Sequence, residues 1–134
     1  MTKGYTLQTL KVDFNYYPFP RIEAGLKYVS ISVDSLHDIA TNKLHTLCIR
    51  PRPRDYIDLY FIMEKQDLPI TSLLIDAKTK FDWHLDPITL ASQFVRVKEI
   101  PEGNMPRMLI PFDKTAMETF FLKLAKDLEK NIFT

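Results

Sequence analysis

Residues 34–65 read DSLHDIATNKLHTLCIRPRPRDYIDLYFIMEK and decide the fold, because they predict two helices joined by a tight basic turn. Either of the first two residues, Asp34 or Ser35, can cap the first helix with a side-chain oxygen. The two prolines of the turn end that helix, since proline lacks a backbone donor and disfavours helix in the residue before it. Asp55 lies in the first turn of the second helix, where a carboxylate complements the helix dipole.

Two charged side chains occupy positions in this helix pair that should be apolar. At about 100° per residue, Lys43 falls in the middle of the apolar stripe of the first helix, and Asp58 lies within a run that is apolar nearly all round. An unpaired buried charge is very costly, so we expect the ammonium of Lys43 to lie within salt-bridge distance of Asp58 or Asp55. The plainer alternative is a structural ion pair, or a lysine whose ammonium reaches solvent. The stripe consists of Leu36, Ile39, Ala40, Leu44 and Leu47, and the run of Ile57, Leu59, Tyr60, Phe61, Ile62 and Met63.

The composition is that of one soluble globular domain spanning residues 1–134. The net charge of +1 argues neither for nor against a nucleic-acid partner. No apolar run approaches the roughly 20 residues of a membrane span, and the first residues lack the apolar core of a signal peptide. The single cysteine, Cys48, permits no internal disulfide, which favours a cytoplasmic location, and we expect it to be a buried small hydrophobe.

Two strands are predicted before the helix pair. Residues 6–17 alternate, with Leu10, Val12, Phe14 and Tyr16 on one face, and residues 26–33 form the second strand, with Val29, Ile31 and Val33 towards the core. Two strands alone rarely form a stable sheet, and an open edge strand must be covered. We therefore expect the strands to be buried by the helices, or to pair with a partner chain or with a second copy.

Three more helices follow the pair. They are predicted at residues 69–81, at residues 87–97, and after Asp113, whose side chain caps the last one. The apolar stripe of the last helix is Met117, Phe120, Phe121, Leu124 and Leu128. Residues 98–111 are rich in proline and are predicted to be loop. The predicted fold class is therefore α+β, with a short antiparallel or mixed β-sheet packed by about five α-helices.

The motifs of the helix pair resemble those of a known family. Residues 38–43 read D-I-A-T-N-K, residues 50–59 read R-P-R-P-R-D-Y-I-D-L, and the preceding strand carries Asp13. This combination resembles the AbiEii/AbiGii-type nucleotidyltransferases, which are toxin components of toxin–antitoxin and phage-abortive systems. The resemblance covers about the first two-thirds of the chain and implies a partial nucleotidyltransferase-like fold.

The resemblance assigns roles to the polar residues of the pair. It implies that Lys43 contacts nucleotide phosphate and that Asp55 and Asp58 position Lys43 or the acceptor. The arginine cluster of Arg50, Arg52 and Arg54 matches phosphate oxygens, so we expect Arg50 and Arg54 to help bind the nucleotide. The implied cofactors are Mg²⁺ and a nucleoside triphosphate, the acceptor is a nucleic acid, and the partner is an antitoxin. The plainer alternatives are a solvated basic turn, favoured at a helix C-terminus, and an ion pair between Arg54 and Asp58 four residues apart.

Two motifs of that family are missing from the sequence. No glycine is followed by serine, and no Asp-x-Asp is present, so Asp13 would be the third metal carboxylate without the first two. Two-metal transfer needs several carboxylates to hold cations about 3.5–4 Å apart; the plainer alternative is that Asp13 is a solvated strand residue. The sequence thus predicts an incomplete or degenerate nucleotidyltransferase, active only in a fuller assembly with a missing N-terminal partner. The alternative is a non-enzymatic interaction module or accessory subunit that pairs through its strand edge, for example as a homodimer.

Overall fold

Five α-helices dominate the computed structural model, which describes residues 2–7, 10–82 and 84–133 and has the predicted α+β fold. All five predicted helices are present. They are α1 (Leu36–Ile49), α2 (Pro53–Gln66), α3 (Ile70–Phe81), α4 (Pro87–Val95) and α5 (Lys114–Phe133), with short 3₁₀ turns at Arg96–Glu99 and Glu102–Asn104.

The helix ends follow the local chemistry of the sequence. Ser35, not Asp34, caps α1, because its side chain accepts from the backbone N–H of Asp38 at 3.0 Å. Asp113 caps α5 as predicted, accepting from the N–H of Thr115 at 3.0 Å. The fourth helix is shorter than predicted, since it ends at Val95 and continues only as a 3₁₀ turn.

The buried core lies among the helices. α1 packs on α2 and α3, and α4 packs on α5. The fully buried side chains with the largest volume include Phe94, Phe121, Leu44, Leu47, Leu59, Leu73, Leu90 and Met117. The predicted stripes of α1 and α5 are confirmed apart from Leu36, which is exposed. Cys48 is half-buried rather than buried, and burial together with Asp86 raises the pKa of its thiol to about 11.

The first predicted strand, residues 6–17, is wrong as a single strand, because only residues 10–15 form a strand as predicted and residues 6–7 belong to a separate strand that pairs with it. Strand β1 (Thr2–Leu7) pairs antiparallel with β2 (Leu10–Asn15), with Thr2 opposite Asn15 and Leu7 opposite Leu10. Residues 8–9, which connect these two strands, lie outside the described residues. Alternation of apolar and polar residues shows that a segment is extended, but it does not show where the chain reverses.

The second predicted strand is also wrong. Its residues form a small hairpin of β3 (Lys27–Tyr28) and β4 (Ile31–Ser32), and the chain reverses at Val29, whose φ is 58°. A left-handed conformation is unusual for a β-branched residue, so the sequence gives no turn signal there. Val29 and Ile31, expected in the core, are 87% and 63% exposed.

The helices do not cover the first hairpin. Leu10, Phe14 and Tyr16, which we expected to be buried, are 61%, 60% and 81% exposed. Among the described residues, the buried positions all lie at residue 38 or later. The helices therefore form the core without the strands, and Leu10 and Phe14 of β2 remain more than half exposed.

Candidate functional site

The α1–α2 pair brings Lys43 against two carboxylates, which confirms the predicted ion pair. Lys43 Nζ lies 3.1 Å from Asp55 Oδ1 and 2.8 Å from Asp58 Oδ2. Residues three apart are neighbours on one helix face, so both carboxylates of α2 reach the same ammonium. We call Lys43, Arg52, Asp55 and Asp58 the Lys43 cluster.

The buried carboxylate of this cluster is Asp55, not Asp58. The side chain of Asp55 is fully buried, that of Lys43 is 20% exposed and that of Asp58 is 47% exposed. The expectation that Asp58 lies inside the core is wrong, because its neighbours Ile57 and Leu59 take the core positions and leave it at the margin of the apolar face.

Four hydrogen bonds hold the Asp55 carboxylate, the weakest of them from Arg52 Nη2 to Oδ1 at 3.4 Å. Its Oδ2 accepts from the backbone N–H of Arg52 at 2.9 Å and from Arg52 Nε at 3.3 Å, while Oδ1 accepts from Lys43. Burial alone would raise the pKa of Asp55, but the hydrogen bonds from Arg52 and Lys43 outweigh it and lower the pKa. Asp55 is therefore ionised at neutral pH and gives Lys43 a fixed negative partner.

The two other predicted nucleotide-binding residues lie on the turn beside the cluster. Arg50 ends α1 and Arg54 stands in the first turn of α2, and both are exposed. Arg50 follows Lys43 by seven residues and is the C-cap of α1, about 10 Å further along the helix axis. The alternative ion pair between Arg54 and Asp58 is not formed in the structure, since Asp58 binds Lys43.

The predicted metal ligand lies on a strand and not on the helix pair. Asp13 is on β2, its side chain is 41% exposed, and its Oδ2 lies 3.5 Å from Lys11 Nζ. Among the described residues, no group of three or more His, Cys, Asp or Glu side chains could hold a metal ion. Mg²⁺ is held by several oxygen ligands in near-octahedral geometry, so the residues present do not fit a magnesium site by themselves.

A second, deeper ion pair joins α1 to α3, and the sequence analysis missed it. Lys80 Nζ lies 2.9 Å from Asp38 Oδ1, and the two side chains are 1% and 0% exposed. The signal was available, because Lys80 falls on the apolar stripe of α3 that holds Leu73 and Ala77, just as Lys43 falls on that of α1.

Asp38 also fixes the segment that precedes α1. Its carboxylate accepts from the backbone N–H groups of Ile22 at 2.8 Å and Glu23 at 3.2 Å, and from Ser35 Oγ at 3.1 Å. Burial acts to raise the pKa of Asp38, but the backbone N–H groups and Lys80 together lower it to about 2. One ionised carboxylate thus ties three parts of the chain together.

A cleft of about 620 Å³ opens beside this buried pair. It is lined by Asn15, Tyr17, Phe19, Pro20, Arg21, Asp34, Asn42 and Lys80. The Tyr17 hydroxyl donates to Asn42 Oδ1 at 3.0 Å, and burial, Asp34 and Asp38 raise its pKa to about 12. Tyr17 is therefore a neutral hydrogen-bond donor at physiological pH.

Comparison with known proteins identifies the class of protein that carries this helix pair. The family model of the AbiEii nucleotidyl transferase toxin, type IV toxin–antitoxin system, matches residues 1–127. The chain therefore belongs to the AbiEii nucleotidyl transferase toxin family. In general, such a family implies a nucleoside triphosphate, Mg²⁺ and an antitoxin partner. No curated protein and no solved structure matches the chain.

None of the helices in the described part of the chain combines the length and the apolar character that crossing a bilayer requires.

Proposed function

We propose that this chain supplies the phosphate-contacting lysine of a nucleotidyltransferase toxin, and that the lysine is Lys43. The observation that carries the proposal is the contact of Lys43 with Asp55 and Asp58. It lies in the helix pair whose motifs resemble the family most specifically, and the family model spans that pair.

The geometry of the cluster lets Lys43 change partners. An ammonium carries three donors, and Asp55, buried and ionised, holds one of them in place. The contact with Asp58 is half open to water, where such a pair contributes only about 0–1 kcal/mol. A triphosphate oxygen can therefore displace Asp58 while Asp55 keeps Lys43 oriented, which leaves Asp58 to position the acceptor.

The basic turn adds to the attraction for phosphate. Arg50 and Arg54 are exposed, and a guanidinium fork matches the oxygens of a phosphate group. The Lys43 cluster and the basic turn together carry four basic and two acidic residues, so their net charge is positive. The positive charge favours an anionic ligand here rather than at Asp13.

The chain does not complete the transfer by itself in this proposal. Asp13 is the one candidate metal ligand, and the described residues do not fit Mg²⁺, so no step is assigned to the metal. In a fuller assembly, a partner carrying the Gly-Ser and Asp-x-Asp motifs would supply the missing carboxylates. The acceptor would then be a nucleic acid and the inhibitor an antitoxin.

We expect a nucleoside triphosphate, titrated without magnesium so that its phosphates keep their full charge, to bind the wild-type chain. Lys43→Ala should weaken binding about tenfold or more, since a hydrogen bond to a charged group contributes about 1.5–3 kcal/mol. Calorimetric titration measures the affinity of the wild type and that of Lys43→Ala. The matched control is Lys114→Ala, whose ammonium lies 2.8 Å from Glu118 and whose side chain is 22% exposed. Equal losses in both variants, or no binding by the wild type, would refute the proposal.

A second candidate function is an accessory module that pairs through its strands, and the exposed face of β2 favours it. Phe14 and Leu10 stand on a two-stranded sheet whose outer edges have no partner strand among the described residues. Unpaired edge groups beside apolar side chains are a template for another strand. A second copy of the chain would form a two-fold dimer, the commonest closed arrangement.

Light scattering tests this second function. We expect the wild type to dimerise as concentration rises and Phe14→Lys to stay monomeric, because a lysine on the strand face would be placed against the partner. The matched control is Ile75→Lys, at a position that is 66% exposed on α3. If the wild type remains monomeric throughout, pairing of the strands between two copies of the chain is excluded.

A further inference from the structure

The cleft beside Asp38 and Lys80 is a site distinct from the Lys43 cluster, since none of its lining residues belongs to that cluster. Its volume of about 620 Å³ falls within the roughly 300–1,000 Å³ of small-molecule sites. The two sites share a segment of one helix, because Asn42 lines the cleft and Lys43 is the next residue of α1, about 100° further round the helix axis.

The walls of the cleft are held in place by buried contacts. The buried carboxylate of Asp38 accepts hydrogen bonds from the backbone N–H groups of Ile22 and Glu23. These bonds fix the segment that carries the aromatic side chains of the cleft. The Phe19 ring packs edge-on against Phe81 of α3 with centroids 4.8 Å apart. A site whose walls are set before binding loses less conformational freedom when a ligand enters.

The charges in the cleft are balanced. Lys80 is paired with Asp38 at 2.9 Å, and Arg21 is paired with Asp34 at 2.7 Å. No net positive charge is therefore left for a triphosphate, in contrast to the turn that carries Arg50 and Arg54. The cleft favours a ligand part that is neutral and polar.

The lining groups match a flat heterocycle with donors and acceptors on its edge. Tyr17 and Phe19 are 49% and 38% exposed, and their rings stand edge-to-face at 5.1 Å, so aromatic surface faces the cleft. The Asn42 amide and the Arg21–Asp34 pair offer donors and acceptors of the kind that read base edges. Aromatic side chains stack on any base, because every base has a π-face.

We propose that this cleft binds a nucleobase. The inference rests on the proposed function, since the base belongs either to the nucleotide whose phosphates meet Lys43 or to the terminal nucleotide of an acceptor strand. Both sources present the same chemistry to Tyr17 and Asn42, and the experiment separates them.

The test uses ligands that divide the nucleotide into its parts. Nucleosides of the four RNA bases, inorganic tripolyphosphate, a nucleoside triphosphate and a single-stranded RNA trinucleotide are each titrated into the wild type and Tyr17→Leu. We expect at least one nucleoside to bind saturably and Tyr17→Leu to weaken it about tenfold, the scale of one lost stacking contact. Tyr28→Leu, at a tyrosine outside the cleft that is 72% exposed, should leave the affinity unchanged.

The remaining arms separate the two proposals and the two sources. Tripolyphosphate should bind Tyr17→Leu as it binds the wild type and should bind Lys43→Ala more weakly. Failure of tripolyphosphate alone to bind would reject the role of Lys43 but would not affect the proposal for the cleft.

The source of the base is identified by the ligand whose affinity falls in Tyr17→Leu. A weaker nucleoside triphosphate identifies the nucleotide substrate, and a weaker trinucleotide identifies the acceptor strand. If Tyr17→Leu does not fold, Asp34→Asn replaces it. No nucleoside binding, or binding unchanged by the cleft variant, overturns the inference.

Discussion

Replacing Lys80 with alanine should lower the free energy of unfolding by about 3–5 kcal/mol, the cost of leaving one partner of a buried ion pair behind. The side chains of Lys80 and Asp38 are 1% and 0% exposed, so no water reaches the carboxylate to compensate. Asp38 would keep its backbone donors from Ile22 and Glu23 but not its countercharge. Denaturant unfolding measured by circular dichroism gives the difference.

Two further variants show whether the loss comes from the ion pair. Lys78→Ala, at an exposed position of the same helix, should change stability by about 0.5 kcal/mol or less. Lys80→Met combined with Asp38→Asn should be more stable than Lys80→Met alone, because the remaining partner is then neutral, although its single amide oxygen accepts from only one of the two backbone N–H groups. A cost below about 1 kcal/mol for Lys80→Ala would contradict the burial of the pair.

Stability should fall steeply in acid because of Asp38. Its folded-state pKa is about 2 against 3.8 for the ordinary group, so the unfolded chain takes up a proton first as pH falls. The contribution, about 2 kcal/mol, is complete above the unfolded pKa and is lost as pH drops through roughly 4 to 2. Asp55, whose pKa is also lowered, acts in the same direction.

Unfolding free energies at a series of pH values between 7 and 2 test this account. Asp38→Asn should be less stable than the wild type at pH 7 and should lose less stability on acidification, since residue 38 no longer titrates. Asp82→Asn, at an exposed carboxylate that ends α3, is the control and should keep the wild-type slope. Parallel pH curves for Asp38→Asn and the wild type would show that Asp38 does not cause the acid loss.

The helix pair could be predicted because its signals are local. Caps, prolines and a period of 3.6 residues depend on neighbours in sequence, and a charge on an apolar stripe led directly from Lys43 to Asp55 and Asp58. The same rule applied to α3 would have predicted a partner for Lys80. Which of the two carboxylates is buried could not be predicted, because steps of 100° do not fix where the packed face ends.

The strands could not be predicted because their signals are not local. Alternation is identical in one long strand and in a hairpin, and the reversal at Val29 uses a conformation that valine rarely adopts. Burial of the strands was inferred from the apolar residues alone, but Phe14 and Ile31 are exposed. The cleft likewise depends on Asn42, Tyr17 and Lys80 meeting across three separate segments.

The central claim, that Lys43 and the basic turn contact phosphate, is tested most directly by a residue-resolved titration. Inorganic tripolyphosphate is added to the ¹⁵N-labelled chain, and the backbone amide signals are followed by NMR. The account predicts that the signals of Lys43, Arg50, Arg54 and their neighbours shift together and saturate. Shifts confined to other surfaces, or no saturable shift at all, would contradict it.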